Sequence, residues 1–203
     1  KNRLVGVWQP GGGAQVAGYL YFSDGRRSRK TVMSLESPGT TEREVQFFYD
    51  GWQVCEEQSA QGQTETTYVY GPSYVDDLIQ FVREGANPFG AGTFYSHSNA
   101  RWDVVATTNA VGEVVEKRFY DGFGRQFGED KVLVAGSVVG NPYGFQGRRL
   151  DEESGLYYFR HRFYDPETGR FVQRDPIWDP GNFGNQYTFV GNGPNDLMDP
   201  LGL

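Results

Sequence analysis

One marker returns along this chain at steps of 21 to 26 residues and limits what it can fold into: aromatic residues that run straight into a turn. It stands at Tyr21-Phe22-Ser23-Asp24-Gly25, Phe48-Tyr49-Asp50-Gly51, Tyr68-Val69-Tyr70-Gly71-Pro72, Phe94-Tyr95-Ser96, Phe119-Tyr120-Asp121-Gly122, Tyr143-Gly144 and Phe163-Tyr164-Asp165-Pro166. A unit of that length holds two strands and two turns, so the sequence predicts successive antiparallel β-hairpins. Alternation supports strands: Val45, Phe47 and Tyr49 share one face, and Tyr157, Phe159, His161 and Phe163 oppose Tyr158, Arg160, Arg162 and Tyr164. Glycine is the commonest residue, with 28 of 203, and aromatics make up 16%, which favours tight turns and strands over helices. The expected fold class is all-β.

Several chemistries are disfavoured at once. A net charge of -7 argues against a nucleic-acid surface, and the short cluster Arg26-Arg27-Ser28-Arg29-Lys30 reads as a solvated strand or turn edge. Gly11-Gly12-Gly13 lacks the Lys-Ser/Thr of a phosphate loop and reads as a turn. Cys55 is the single cysteine, so there is no internal disulfide and no cysteine metal site; it is expected to pack as a small strand residue. With His97 and His161 the two histidines, a histidine metal site is not expected, and His161 reads as structural. No cofactor is expected. No stretch has the apolar length of a membrane-spanning helix, and there is no signal-peptide pattern behind Lys1, which suggests a piece of a longer protein.

The last third carries the most specific residues. Gly155-Leu156-Tyr157-Tyr158-Phe159-Arg160-His161-Arg162-Phe163-Tyr164-Asp165-Pro166 is followed by Gly169-Arg170-Phe171, Arg174-Asp175-Pro176-Ile177 and Asp199-Pro200-Leu201-Gly202-Leu203. That order of motifs resembles the RHS-repeat-associated core domain of bacterial RHS/YD-repeat proteins. Upstream, Gly25 to Val32, Tyr49 to Val54 and Val111 to Gly124 are similar to YD repeats, while Ser96-His97-Ser98-Asn99-Ala100-Arg101-Trp102-Asp103 departs from the acidic, glycine-containing segment common there and leaves the local turn open. The resemblance implies two parts: a YD-repeat segment over 1–142, the C-terminal sector of a hollow β-shell, and a core domain over 143–203 that curls inward as a plug. It also implies partners, namely upstream YD repeats, a C-terminal cargo or toxin polypeptide and secretion or toxin-complex components, in a protein that is secreted or at the cell surface.

Four Asp-Pro pairs lie in this region, and turn formation accounts for Asp165 and Asp179. For Asp175 and Asp199 the resemblance implies more: an aspartic-protease-like pair that cuts the chain's own backbone after Leu203, once. Two carboxylates held close do not both ionise easily, so one serves as base to water while the other supplies a proton. Arg162 matches the arginine that accompanies the pair in the family; a buried strand arginine bridging turns is an equal reading. Arg160, Arg170 and Arg174 are weaker candidates, expected to be exposed or to brace turns. Gly202 permits close backbone approach beside the scissile residue, or is a plain turn glycine. Asn192 to Asp196 reads as the turn that returns Asp199 towards Asp175. The end at Leu203 coincides with the point where the family cleaves. The competing function is a non-catalytic surface module, teneurin-like or carbohydrate-binding, with Trp8, Trp52, Trp102 and Trp178 as candidate sugar-stacking residues.

Overall fold

The computed structural model describes residues 3–85, 87–177 and 184–203, so Trp178 and the pair Asp179-Pro180 lie outside the described residues. The aromatic hairpin pattern becomes one antiparallel sheet in which each strand pairs with the next in sequence. Its ten strands are β1 (Gly6–Trp8), β2 (Gln15–Tyr21), β3 (Arg27–Met33), β4 (Thr41–Asp50), β5 (Gln53–Ser59), β6 (Thr64–Tyr70), β7 (Leu78–Arg83), β8 (Gly92–Ser98), β9 (Val104–Asn109) and β10 (Val114–Lys117). A short pair follows, β11 (Phe119–Tyr120) and β12 (Gln126–Phe127), and then a four-stranded sheet of β13 (Arg149–Asp151), β14 (Leu156–Phe159), β15 (Arg162–Asp165) and β16 (Arg170–Phe171). The fold is all-β, and no helix among the described residues is long and apolar enough to cross a membrane.

The turns follow from side-chain chemistry. Asn109 Oδ1 accepts the N–H groups of Val111 and Glu113, and Asp121 Oδ1 those of Phe123 and Arg125, each at 3.0–3.1 Å. Both turns place a glycine in the left-handed region at their fourth position, Gly112 at φ 85° and Gly124 at φ 91°.

The large sheet buries one face. Val45, Phe47, Val54, Tyr68, Leu78, Phe81, Phe94 and Val104 form a cluster on it, and Tyr143 from beyond the sheet packs into the same cluster. Leu20, Phe48, Val69, Ile79 and Tyr95, their neighbours on the other side of the pleat, stay exposed. Cys55 on β5 is half-buried with a free thiol.

The four-stranded sheet lies against the covered face. Tyr158 and Phe163 pack on Ala17 and Tyr19 of β2, while Tyr157, Phe159, Tyr164 and Phe171 turn the other way into an aromatic cluster with Phe145 and Phe189. Buried arginines fasten the two sheets. Arg27 pairs with Asp151 at 2.5 Å and stands over the rings of Tyr158 and Phe47 at 4.5 and 4.6 Å. Arg149 pairs with Glu57 of β5, and Arg148 with Asp76 in the β6–β7 loop.

These pairs make stability depend on acid. Burial works to raise the Asp151 pKa, but Arg27 and Lys30 outweigh it and hold the carboxyl well below the usual carboxylate range. Its stabilising contribution is therefore complete above the unfolded value near 4 and is lost as pH falls towards the lower folded value. Glu57, buried against Arg149 and Arg43, is also lowered and acts in the same direction. Urea unfolding between pH 6 and pH 2 is expected to show stability dropping below about pH 4, with a shallower fall in Asp151→Asn; equal slopes would refute the assignment.

Two sequence expectations are corrected. The marker Phe94-Tyr95-Ser96 sits inside β8, and the turn comes later, where Asn99 Oδ1 accepts the N–H groups of Arg101 and Asp103. Ser96, His97 and Ser98 form no turn of their own and extend the strand up to Asn99. The run from Tyr157 to Tyr164 is likewise a hairpin rather than one alternating strand: Phe159 pairs with Arg162 across Arg160 and His161, with Arg160 at φ 62°. Both its faces are buried, and Arg160 is 5% exposed, not a surface or merely turn-bracing side chain. Its hydrogen bonds to the Pro200 carbonyl and to Asp76 hold a turn that carries no glycine, asparagine or proline. Arg170 and Arg174 are exposed.

Candidate functional site

The final residues are laid along this tight hairpin turn, and three successive carbonyls of the tail meet three successive residues of the turn. Arg160 Nη1 donates to the Pro200 carbonyl at 2.6 Å, the His161 N–H to that of Leu201 at 3.3 Å, and Arg162 Nε to that of Gly202 at 2.8 Å. Asp199 secures the same segment from within: its Oδ1 accepts the N–H groups of Leu201 (3.2 Å), Gly202 (2.7 Å) and Leu203 (3.2 Å). The Asp199 N–H donates to Gln146 Oε1 at 3.3 Å, and the Gln146 N–H in turn donates to Asp103 Oδ1 at 2.8 Å.

Gly202 is required by this path. It stands at φ 71°, and a Cβ there would lie 2.1 Å from the carbonyl oxygen of Phe159. The plain turn reading is therefore insufficient, because the tail presses directly on the β14 backbone. Leu203, half-buried, is held through its N–H by Asp199.

Arg162 joins the two candidate aspartates. Its Nη1 lies 3.4 Å from Asp175 Oδ2 and its Nη2 3.5 Å from Asp199 Oδ2, and all three side chains are nearly sealed from solvent. The guanidinium sits 3.6 Å from the centre of the Phe171 ring, so β16 supplies the floor. Burial pulls the Arg162 pKa below its ordinary value, opposed by Asp175 and Asp199, yet a guanidinium remains a cation at neutral pH. Asp175 is placed by its N–H on the Gln186 carbonyl and by Oδ1 accepting the Ile177 N–H, each at 2.9 Å. The turn after Val190, with Asn192 at φ 62°, reverses the chain so that Asp199 returns to Arg162.

Sequence reasoning thus named Asp175, Asp199, Arg162, Gly202 and Leu203, and the structure brings all five to one place. It gave Arg160 as a weaker candidate, expected to be exposed or to brace turns, and missed Gln146, Asp76 and Phe171. Of these, Phe171 stood within the quoted Gly169-Arg170-Phe171 motif, whereas Gln146 and Asp76 carry no local signal because their partners lie far away in sequence. His161 serves through its backbone; its ring packs near Trp52 at 5.5 Å, and burial with Arg3 and Arg160 lowers its pKa. The described tryptophans are dispersed: Trp8 on the edge strand β1, Trp52 in the β4–β5 turn and Trp102 stacked on Tyr74 at 5.1 Å. Among the described residues, no three His, Cys, Asp or Glu side chains are grouped to hold a metal ion.

No family model matches the chain. It is 31% identical over 209 residues to the tRNA3(Ser)-specific nuclease WapA of Bacillus spizizenii, an alignment covering 100% of this chain and 8% of that protein. A shorter stretch of 62 residues is 48% identical to the toxin protein Tse5 of Pseudomonas aeruginosa, covering 30% of this chain and 5% of Tse5. The backbone matches the crystal structure of TcdB2-TccC3-Cdc42 with a TM-score of 0.71 over 97% of this chain and 9% of that one, at 23% identity.

The chain belongs to the RHS/YD-repeat family. Its ten-stranded meander with a terminal part folded onto the covered face is the fold shared with the TccC3-containing chain. This RHS segment spans less than a tenth of the length of these relatives.

Proposed function

We propose that this segment is the self-processing end of an RHS shell, which encloses a C-terminal polypeptide and cuts the backbone after Leu203. The carrying observation is the seating of the tail: residues 160–162 hold the carbonyls of residues 200–202, while one guanidinium joins Asp199 to Asp175. In the proposed reaction, one aspartate takes a proton from water as the oxygen adds to the Leu203 carbonyl carbon. The other protonates the departing amine as the C–N bond breaks. Arg162 supplies positive charge beside both carboxylates. Tethering the bond to its own catalytic segment replaces the entropic cost of gathering reactants, worth roughly 7–11 kcal/mol at best.

On this reading, residues 1–142 are wall and 143–203 the plug. The partners are upstream YD repeats that extend the sheet beyond β1, together with a toxin-type cargo delivered outside the producing cell. The names of two relatives, a tRNA-specific nuclease and a toxin protein, support that context. Intact mass of the full-length protein, carrying the polypeptide that follows Leu203, tests the reading. Wild type is expected to give two products, one ending at Leu203, and Asp175→Asn and Asp199→Asn a single chain. One uncut, folded chain from all three would remove the protease reading and leave an enclosing or adhesive wall.

A further inference from the structure

The turn that holds the tail is itself held from the large sheet. Arg160 adopts a left-handed backbone conformation that non-glycine residues rarely take, and its buried guanidinium reaches in two directions. Nη1 donates to the Pro200 carbonyl at 2.6 Å and Nη2 to Asp76 Oδ1 at 2.5 Å. Asp76 is fixed in turn, because its other carboxylate oxygen pairs with Arg148. Its backbone carbonyl abuts Gly147, where a Cβ would come within 2.9 Å. The Arg160 carbonyl accepts a bond from Arg3 Nη1 at 3.0 Å, so the turn is tied to the start of the described chain as well.

We propose that Arg160 is a positioning residue for the cut after Leu203 and that Asp76 sets its aim, so that the β6–β7 loop of the large sheet is a working part of the cleavage site. The inference rests on the self-cleaving reading and adds residues outside the Asp175–Arg162–Asp199 group. Pro200 directly follows Asp199, whose Oδ1 gathers the N–H groups of residues 201–203. With the Pro200 carbonyl released, the tail pivots about Asp199, and Leu203, whose N–H Asp199 Oδ1 accepts, shifts relative to the carboxylates. A displacement of about 1 Å at a reacting centre is enough to cost on the order of a hundredfold in rate.

The test uses the full-length protein with its natural continuation after Leu203, unfolded in urea and then diluted, with the Leu203-ending product followed by intact mass over time. Arg160→Gln and Asp76→Asn are expected to slow cutting at least tenfold, while Arg160→Lys, which still donates to Pro200 and keeps its charge, retains at least a third of the wild-type rate. Arg27→Gln breaks a buried pair between the same two sheets away from the tail and reports the effect of weakened fastening alone, with melting temperatures measured for every variant. Cutting by Arg160→Gln at the wild-type rate, or slowed no more than Arg27→Gln at an equal loss of melting temperature, would overturn the proposal, as would Arg160→Lys behaving like Arg160→Gln. A wild type that does not cut brings down the self-cleaving reading and this inference together. If wild type and Arg160→Gln both cut while Asp175→Asn does not, the positioning role alone falls.

Discussion

On the self-cleaving reading, replacing Gly202 with alanine is expected to stop cutting almost completely, with a loss on the order of a hundredfold, although no charged or catalytic group is touched. The new methyl would have to occupy a point 2.1 Å from the Phe159 carbonyl oxygen, on a residue at φ 71°. A left-handed L-residue costs roughly 1–2 kcal/mol, and the overlap with a strand backbone cannot be relieved by rotating a side chain. The tail must therefore lift from β14, which separates Arg162 Nε from the Gly202 carbonyl and carries Leu203 away from the aspartates. Global stability should fall by only about 1–3 kcal/mol, the usual cost of overpacking. The check is intact mass of the extended chain beside its melting curve. Wild-type cutting in Gly202→Ala would mean that the seated tail is not the geometry in which the bond is broken.

Replacing Arg27 with methionine should have the largest effect on stability. Removing one member of a buried ion pair leaves the other charge without compensation, at a cost of roughly 3–5 kcal/mol, and Asp151 is 1% exposed in its side chain. Lys30 at 3.2 Å offsets part of this but leaves the oxygen that faced Arg27 without its partner. The contacts of the guanidinium with Tyr158 and Phe47 are also lost. For a chain of this size the melting temperature should drop by about 10 °C. The double variant Arg27→Met with Asp151→Leu should regain much of the loss, since apolar replacement of a buried pair is often neutral. A double variant as unstable as the single one would place the Arg27 contribution in packing rather than charge.

Much of the wall was legible in sequence because its information is local. An aromatic strand that ends at Asp24, Asp50 or Asp121 needs no distant partner to declare its turn, and each hairpin then pairs with the next. The marker misled at Ser96, where nothing local stops the strand, and the alternation misled at Arg160, where the turn depends on hydrogen bonds to Pro200 and Asp76. The candidate site was readable where motif residues sit in the tail and in the strand-like run. Its supporting residues were not, because Asp76, Gln146 and Asp103 meet their partners only after the terminal sheet has settled on the large one.

The two kinds of pairing also set an order of events during synthesis. Every neighbour in the ten-stranded meander is adjacent in sequence, so the wall has what it needs to form as each hairpin leaves the ribosome. The fastenings wait: Asp151 must emerge 124 residues after Arg27, and Arg160 84 residues after Asp76. Residues 199–203 emerge later still and have no seat until the hairpin at residues 159–162 is in place. On the self-cleaving reading, scission that depends on that seat begins after the wall beside it has been built, and the topology of the chain serves as its clock.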